Sequence, residues 1–184
     1  MSSETSSPSG NGNAFEMGRR KMVPAVLVYL FYRDQVLMLH RNRNLKSDYH
    51  LGKWNGLGGK LEPDESALEA ALRETKEESG LSTLRSSQLQ LLGTLHFPHF
   101  KRKKAEDWLV WVFRAEISES QLQEVATQGP EGGLKWIPLS EVLELNLWAG
   151  DRKFLPKVLV GGTFWGTIWY EDERVIRAEV HPLS

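Results

Sequence analysis

Gly59 and Gly80 bracket the stretch that most constrains this chain, GKLEPDESALEAALRETKEESGL over residues 59–81. Pro63, Asp64 and Glu65 predict a helix start, because proline suits a first helical turn and acids favour the positive end of the helix dipole. Gly80 predicts the stop, as the residue type that takes a left-handed backbone without strain. At about 100° per residue, Leu68, Ala71, Leu72 and Thr75 fall on one stripe, which is expected to pack on a core. Thr75 sits in the middle of that stripe. Its methyl can pack and its hydroxyl can bond back to the preceding turn, at a small cost in stability. Glu74, Glu77 and Glu78 fall on an adjacent arc of about 100° by the same rotation. Carboxylates that close repel one another unless something cationic sits on them. Hard divalent cations take oxygen ligands, and Mg²⁺ bridges carboxylates to substrate phosphates. The other reading of the same residues is a solvated acidic face laced by pairs such as Arg73 with Glu77 or Glu69. Arg73 is expected to orient glutamates rather than touch a substrate. Glu65, on the far side of the arc, is expected to be structural.

The chain has 184 residues, 40% of them hydrophobic, enough for one globular domain with a real core. A formal net charge of −1 argues against a general nucleic-acid binder, which would be basic. The absence of cysteine excludes disulfides and thiolate metal sites and suits a cytoplasmic protein. No apolar run is long enough to span a membrane, so no membrane partner is expected. Residues 1–20 begin with a Ser/Gly/Asn-rich stretch without the apolar region of a signal peptide, and predict a disordered tail ahead of a domain over residues 21–184.

Val23–Tyr32 predicts a buried strand, Arg33–Gln35 a turn and Val36–His40 the returning strand. Arg41–Gly52 is a polar loop carrying Arg41, Arg43 and Lys46, with Lys53 just beyond it. Leu89–Phe97 and Trp108–Ala115 predict two more strands. The second is apolar on both faces and therefore central. Between them, Lys101–Lys104 (KRKK) is expected to be a solvated hairpin tip, with attraction of an anionic substrate as its other reading. Gly133–Ile137 suits a short strand, Pro138–Leu145 a helical turn, and Trp148–Val160 a helix that Pro156 would kink or delay. Phe164–Tyr170 and Arg174–Val180 suit a closing hairpin. Strands with few helices around one core predict an α/β sandwich.

Residues 59–81 also fit the pattern G-x5-E-x7-R-E-U-x-E-E-x-G-U at Gly59, Glu65, Arg73, Glu74, Glu77, Glu78, Gly80 and Leu81, with Thr75 in place of a bulky aliphatic residue. In these residues the chain resembles the Nudix hydrolases. The resemblance implies an α/β fold with a mixed β-sheet sandwiched between helices. It implies cleavage of a nucleoside diphosphate linked to another group, with Mg²⁺ or Mn²⁺ as cofactor. Two flanking runs, GKWNGLGG at Gly52–Gly59 and LWAGDRKFLPKVLVGGTFWG at Leu147–Gly166, are similar to the mammalian MutT homologues, the oxidised purine nucleoside triphosphatases. That likeness runs over roughly residues 23–180.

Carried over on this resemblance, Asn55 bonds the purine edge and Trp148 stacks on the base. Asp151 is the second of a neighbouring pair of aspartates whose first member is here Gly150. Tyr49, Phe97 and Arg41 join the substrate side. The metal set is Glu74, Glu77, Glu78, the Gly58 carbonyl and Glu131, which stands five residues before Trp136. Either Glu74 or Glu77 is the base that deprotonates the attacking water. The expected substrate is an oxidised purine nucleotide such as 8-oxo-dGTP, cleaved to nucleoside monophosphate and pyrophosphate by a monomer or homodimer that cleanses the nucleotide pool. The alternatives are dGTP, other nucleotides or a nucleoside diphosphate sugar as substrate, and a non-catalytic nucleotide-sensing domain. The retained carboxylates count against the last.

Overall fold

A computed structural model describes residues 21–42, 52–101, 105–172 and 174–183 of the chain. The expected tail over residues 1–20, Tyr49 and most of the KRKK run lie outside them. The elements in chain order are β1 (Lys21–Tyr32), β2 (Gln35–His40), β3 (Trp54–Asn55), α1 (Ala67–Ser79), β4 (Gln90–Lys101), β5 (Glu106–Glu116), α2 (Glu119–Leu122), β6 (Gly133–Pro138), α3 (Asp151–Leu159), β7 (Phe164–Glu171) and β8 (Arg174–Pro182).

The strands form one mixed sheet in the order β3-β2-β1-β5-β4-β7-β8, with β6 pairing β2. β1 runs parallel to β5 from Lys21↔Glu106 to Phe31↔Glu116, and β4 runs parallel to β7. The predicted central strand is central: β5 lies between β1 and β4, and its Val110, Val112, Phe113 and Ala115 are buried.

Alternation along β1 sends its side chains to opposite faces. Ala25, Tyr29 and Phe31 join a core cluster that includes Phe154, Leu155 and Val158 of α3. Val26, Val28 and Leu30 join a second cluster that includes Ala70 and Ala71 of α1. The sheet is therefore the middle layer between α1 and α3, as the expected sandwich requires. Each buried Leu, Ile, Val or Phe in these layers contributes about 1.5–3 kcal/mol relative to an exposed one.

One departure from a simple sheet positions everything that follows. β1 and β2 share two register pairs, Phe31↔Val36 and Tyr32↔Gln35, at the hairpin end. Beyond them the glycine-rich run 54–60 enters between the strands. Asn55 pairs Leu39 of β2, whereas Leu57 bridges Val28 and Lys60 bridges Ala25 of β1. The backbone bonds Val28 N–H to Leu57 O (2.7 Å) and Val26 N–H to Gly59 O (2.8 Å) hold it flat on β1. At Gly58 φ is +142°, and a Cβ there would lie 2.1 Å from the Val26 carbonyl oxygen, so no other residue fits this approach.

Three expectations are corrected. The first helix starts at Ala67 rather than at Pro63, because Ser66 caps it. The Ser66 hydroxyl accepts from Glu69 N–H, and the Glu69 carboxylate accepts from Ser66 N–H. Its apolar face is centred on Ala70, Ala71 and Thr75, and Leu68 is among the exposed large hydrophobics. The third helix begins at Asp151, not at Trp148, and Pro156 lies inside it, so the Arg152 carbonyl lacks its usual donor four residues on. Elsewhere the expected stop holds, with Gly80 at φ +79° and its N–H donated to the Lys76 carbonyl. Thr75 is fully buried and its hydroxyl donates to Ala71 O at 2.7 Å.

Candidate active site

The carboxylates of α1 are arranged by one arginine. Arg73 donates from Nε and Nη2 to the two oxygens of Glu65 (2.8 and 2.9 Å), from Nη2 to Lys60 O (3.0 Å), and from Nη1 to Glu74 (2.9 Å) and Glu77 (3.2 Å). A guanidinium engaged on this many sides is an orienting group, and its proton is held more tightly than usual, first by the Glu65 bond. Glu65 anchors it from the helix entry, the structural place expected of it.

Glu74 packs directly on Gly59. A Cβ at position 59 would fall 2.3 Å from its Oε1, so the second glycine of the pair makes room for a carboxylate as the first makes room for a strand. Burial raises the Glu74 pKa, and Arg73 opposes the rise. Glu78 lies deeper, 5% exposed, and accepts a 2.8 Å bond from Gly58 N–H. Burial, with Glu131 and Glu74 facing it, pushes its pKa up to about 9. Glu77 is exposed at the edge.

Glu131 arrives from a different part of the chain. After α2, the segment is pinned to the end of α1 by Ala126 N–H to Ser79 O (2.8 Å), then turns through Gly129 N–H to Gly132 O (2.8 Å). The turn sets Glu131 within electrostatic reach of Glu78 and Glu74. Glu131 also pairs with Arg41 from the end of β2. Arg41, expected on the substrate side, is thus placed against a carboxylate of the acidic group.

Among the described residues no three acidic or histidine side chains are gathered tightly enough to hold an ion as they stand. Arg73 occupies Glu74 and Arg41 occupies Glu131, so holding a cation here would exchange arginine contacts for metal contacts. The donors fit such an ion. They are all oxygens, and burial leaves Glu78 short of the counter-charge that a hard divalent cation would supply.

A second polar group lies at the other end of the glycine-rich run. Asn55, with its amide turned to suit its neighbours, donates to Trp54 O (2.9 Å) and to Asp151 Oδ2 (3.3 Å). Asp151 opens α3, is 8% exposed, and has its pKa pushed up to about 7 by burial, against the pull of Lys53 and Arg152. Beneath it lies the Tyr29 phenol, fully buried and raised well above its ordinary pKa by burial and by Asp151, with Gly56 N–H bonded to it. Trp148 is 4% exposed and belongs to the core cluster on this face. Its ring meets Tyr170 edge-on at 6.4 Å, and the Lys53 ammonium stands 5.1 Å from its centroid. Phe97 is likewise a core residue, with its ring against Phe100 and Tyr170.

Gly150 has a local cause. Its N–H donates to the Tyr170 hydroxyl at 2.7 Å, and a Cβ at position 150 would lie 2.2 Å from that oxygen. No side chain fits beside this tyrosine. Tyr29, Lys53 and Tyr170 join this group of side chains without any signal in the sequence. The two tyrosines sit in apolar strand runs where only tertiary contact gives the hydroxyl a role, and Lys53 was counted with the cations of the preceding loop.

Comparison with known proteins places the chain in a family. The chain matches the NUDIX domain over residues 21–158. It is 30% identical over 131 residues to the oxidized purine nucleoside triphosphate hydrolase of Danio rerio, covering 71% of this chain and 78% of the relative. To the protein so described from Mus musculus it is 30% identical over 145 residues, covering 77% and 87%. Among solved structures it resembles a MutT protein from Bacillus halodurans, with a TM-score of 0.71, 31% identity, and coverage of 86% of this chain and 97% of that one.

Proposed function

This chain belongs to the NUDIX domain family and is a Nudix hydrolase, and we propose that it is a divalent-metal-dependent nucleoside triphosphate pyrophosphohydrolase acting on oxidised purine nucleotides such as 8-oxo-dGTP. The observation that supports this most is the meeting of Glu131 with Glu78 and Glu74, which joins two distant segments into one oxygen-rich group. Glu74, Glu77, Glu78, Glu131 and the Gly58 carbonyl would hold Mg²⁺ or Mn²⁺. Such an ion neutralises phosphate charge, orients the leaving group and makes water more acidic. Arg73 holds Glu74 and Glu77 in register, and one of those two takes the proton of the attacking water. Positioning and charge neutralisation carry most of the rate in phosphoryl transfer. Pyrophosphate leaves and the nucleoside monophosphate remains. Asn55 and Asp151 meet the edge of the base, and Trp148 gives it an indole face.

The names of the vertebrate relatives support an oxidised-purine substrate, and on that reading the role would be the cleansing of a cytoplasmic nucleotide pool. Gly150 favours a second reading. With one carboxylate rather than two beside the base, the same site serves a wider range, including dGTP, other nucleotides or a nucleoside diphosphate sugar. The test is product release from 8-oxo-dGTP, 2-hydroxy-dATP, the four normal deoxynucleotides, ADP-ribose and a nucleotide sugar, with Mg²⁺ and after chelation. Metal-dependent pyrophosphate release with kcat/KM for an oxidised purine well above that for dGTP is expected. Flat selectivity moves the assignment to the second reading, and no turnover of any compound refutes both.

A further inference from the structure

We propose that Asn146 is a positioning residue that holds the two halves of the base pocket in register, so that Asn55 and Trp148 meet a nucleotide base together. This rests on the pocket being the base site of a nucleoside triphosphate hydrolase, as argued above. Asn55 comes from β3, which is two residues long and stands at one end of the sheet order. On one side β3 is paired by β2, through Leu39↔Asn55 and His40↔Trp54. Asn146 bonds the same stretch from a distant part of the chain. Its backbone carbonyl accepts from Trp54 N–H at 3.1 Å, its Nδ2 donates to Gly52 O at 2.9 Å, and its Oδ1 accepts from Lys53 Nζ at 3.2 Å. One residue thus engages residues 52, 53 and 54, immediately before Asn55. It does for this short end of the sheet what a further strand does for a long one.

Asn146 is tied as firmly to the other half of the pocket. Leu147 N–H donates to Leu145 O at 2.8 Å, and Asp151 N–H donates to Trp148 O at 3.1 Å. The chain from 145 to 151 therefore runs through tight turns that fix the spacing of Asn146, Trp148 and Asp151. Leu147 and Trp148 are buried in the core cluster of the α3 face, which anchors this half. Lys53 adds a second tie across the halves, with its ammonium 5.1 Å from the Trp148 ring centroid. Asn146 itself is exposed, so its contribution is these bonds rather than packing. The acidic end is insulated from the clamp. Between Asn55 and the carboxylates the glycine-rich run is held again on β1, by Val28 N–H to Leu57 O and Val26 N–H to Gly59 O. Loss of the clamp is therefore read in substrate binding and not in the chemical step.

The test is steady-state pyrophosphate release with Mg²⁺ from the better cleaved of 8-oxo-dGTP and dGTP, by the native enzyme, Asn146→Ala, Asn55→Ala and the double variant. Asn146→Ala should raise KM about tenfold with kcat held, the effect of two modest hydrogen bonds lost from binding alone. In the Asn55→Ala background the same change should cost about threefold or less, because it acts in part through Asn55. A full tenfold loss in both backgrounds overturns the proposal. So does an unchanged KM with a lower melting temperature, the mark of a residue that serves only the stability of its turn. A tenfold fall in kcat, whatever KM does, also overturns it. Asn146→Asp keeps an acceptor for Lys53 and loses the donor to Gly52 O. It should fall between the native enzyme and Asn146→Ala, and it takes the place of the alanine variant should that not fold. If neither folds, Asn146 serves the fold and the proposal falls. No pyrophosphate from either triphosphate with the native enzyme overturns the functional reading and this proposal with it. Native turnover with an unmoved KM in the variants sinks this proposal alone.

Discussion

Replacing Asp151 with Asn converts the burial of one carboxyl into a measurable change of stability with pH. Asp151 is 8% exposed, and burial lifts its pKa from 3.8 to about 7 even with Lys53 and Arg152 pulling it down. Between those two values the folded chain keeps a proton that the unfolded chain has released, so the free energy of unfolding falls as pH rises. The stabilisation is whole below about pH 4, is lost as the pH climbs to about 7, and changes no further above that. At 1.36 kcal/mol for each pH unit across this window, the full swing is about 4 kcal/mol. Asparagine keeps the shape and cannot ionise. Asp151→Asn should therefore gain on the native protein by up to about 4 kcal/mol as the pH rises from acid to about 8, because the native protein alone pays to bury the charge. The assay is urea unfolding of both proteins from about pH 5 to about pH 8 without metal, taking the difference so that Glu78 and other groups cancel. A difference that stays flat across that range, or one that turns against the variant at alkaline pH, refutes the account of Asp151 as a carboxyl kept neutral by burial.

Two further substitutions address the acidic end. Glu78→Gln keeps an oxygen to accept from Gly58 N–H but removes the charge, and turnover should fall at least about 100-fold, with the unfolding midpoint held or raised. A near-normal rate would remove Glu78 from the metal site. Gly59→Ala puts a methyl 2.3 Å from the Glu74 carboxylate, and a displacement of that carboxylate by about 1 Å should lower turnover about 100-fold. Steady-state rates and a melting curve on the same sample separate this from unfolding. An unchanged rate would mean that Gly59 serves only the backbone.

The helix stop at Gly80, the buried hydroxyl of Thr75 and the orienting role of Arg73 were legible because each depends on neighbours within about two turns. The carboxylates crowded on one arc in residues 59–81 find a counter-charge in Arg73, which pairs Glu74 and Glu77. The helix start was misplaced although its signal was present: Ser66 followed by Glu69 is a capping box, and Pro63–Asp64 belong to the turn before it, where Asp64 takes φ +64°. Leu68 fell on the expected stripe by rotation alone. Contact with the sheet instead selects small residues, so Ala70 and Ala71 face the second core cluster and Leu68 faces out. The approach of Glu131 to Glu78, and the contacts of Arg41 with Glu131 and of Tyr170 with Gly150, join residues far apart in the chain. Spacing along a sequence carries no such distance. Resemblance alone points to Glu131, and nothing in the sequence points to Tyr170.

The geometry of the two glycines explains why the acidic group cannot be understood from α1 alone. Gly58 lies so close to β1 that a Cβ would strike the Val26 carbonyl, and the same residue donates its N–H to Glu78. Gly59 bonds Val26 through its carbonyl and carries the Glu74 carboxyl on its Cα. The heights of Glu74 and Glu78 are thus set by the sheet, through two peptide units of which the first, at Gly58, only glycine can supply. Arg73 then locks the outer carboxylates to Glu65 and to Lys60 O, both on the entry to α1. Strand, glycine pair and helix entry form one closed circuit of bonds around the carboxylates, whereas Glu131 reaches them from a turn outside that circuit. Glu131 is instead held from outside the circuit, through its pairing with Arg41, so moving it would leave every bond of the circuit in place.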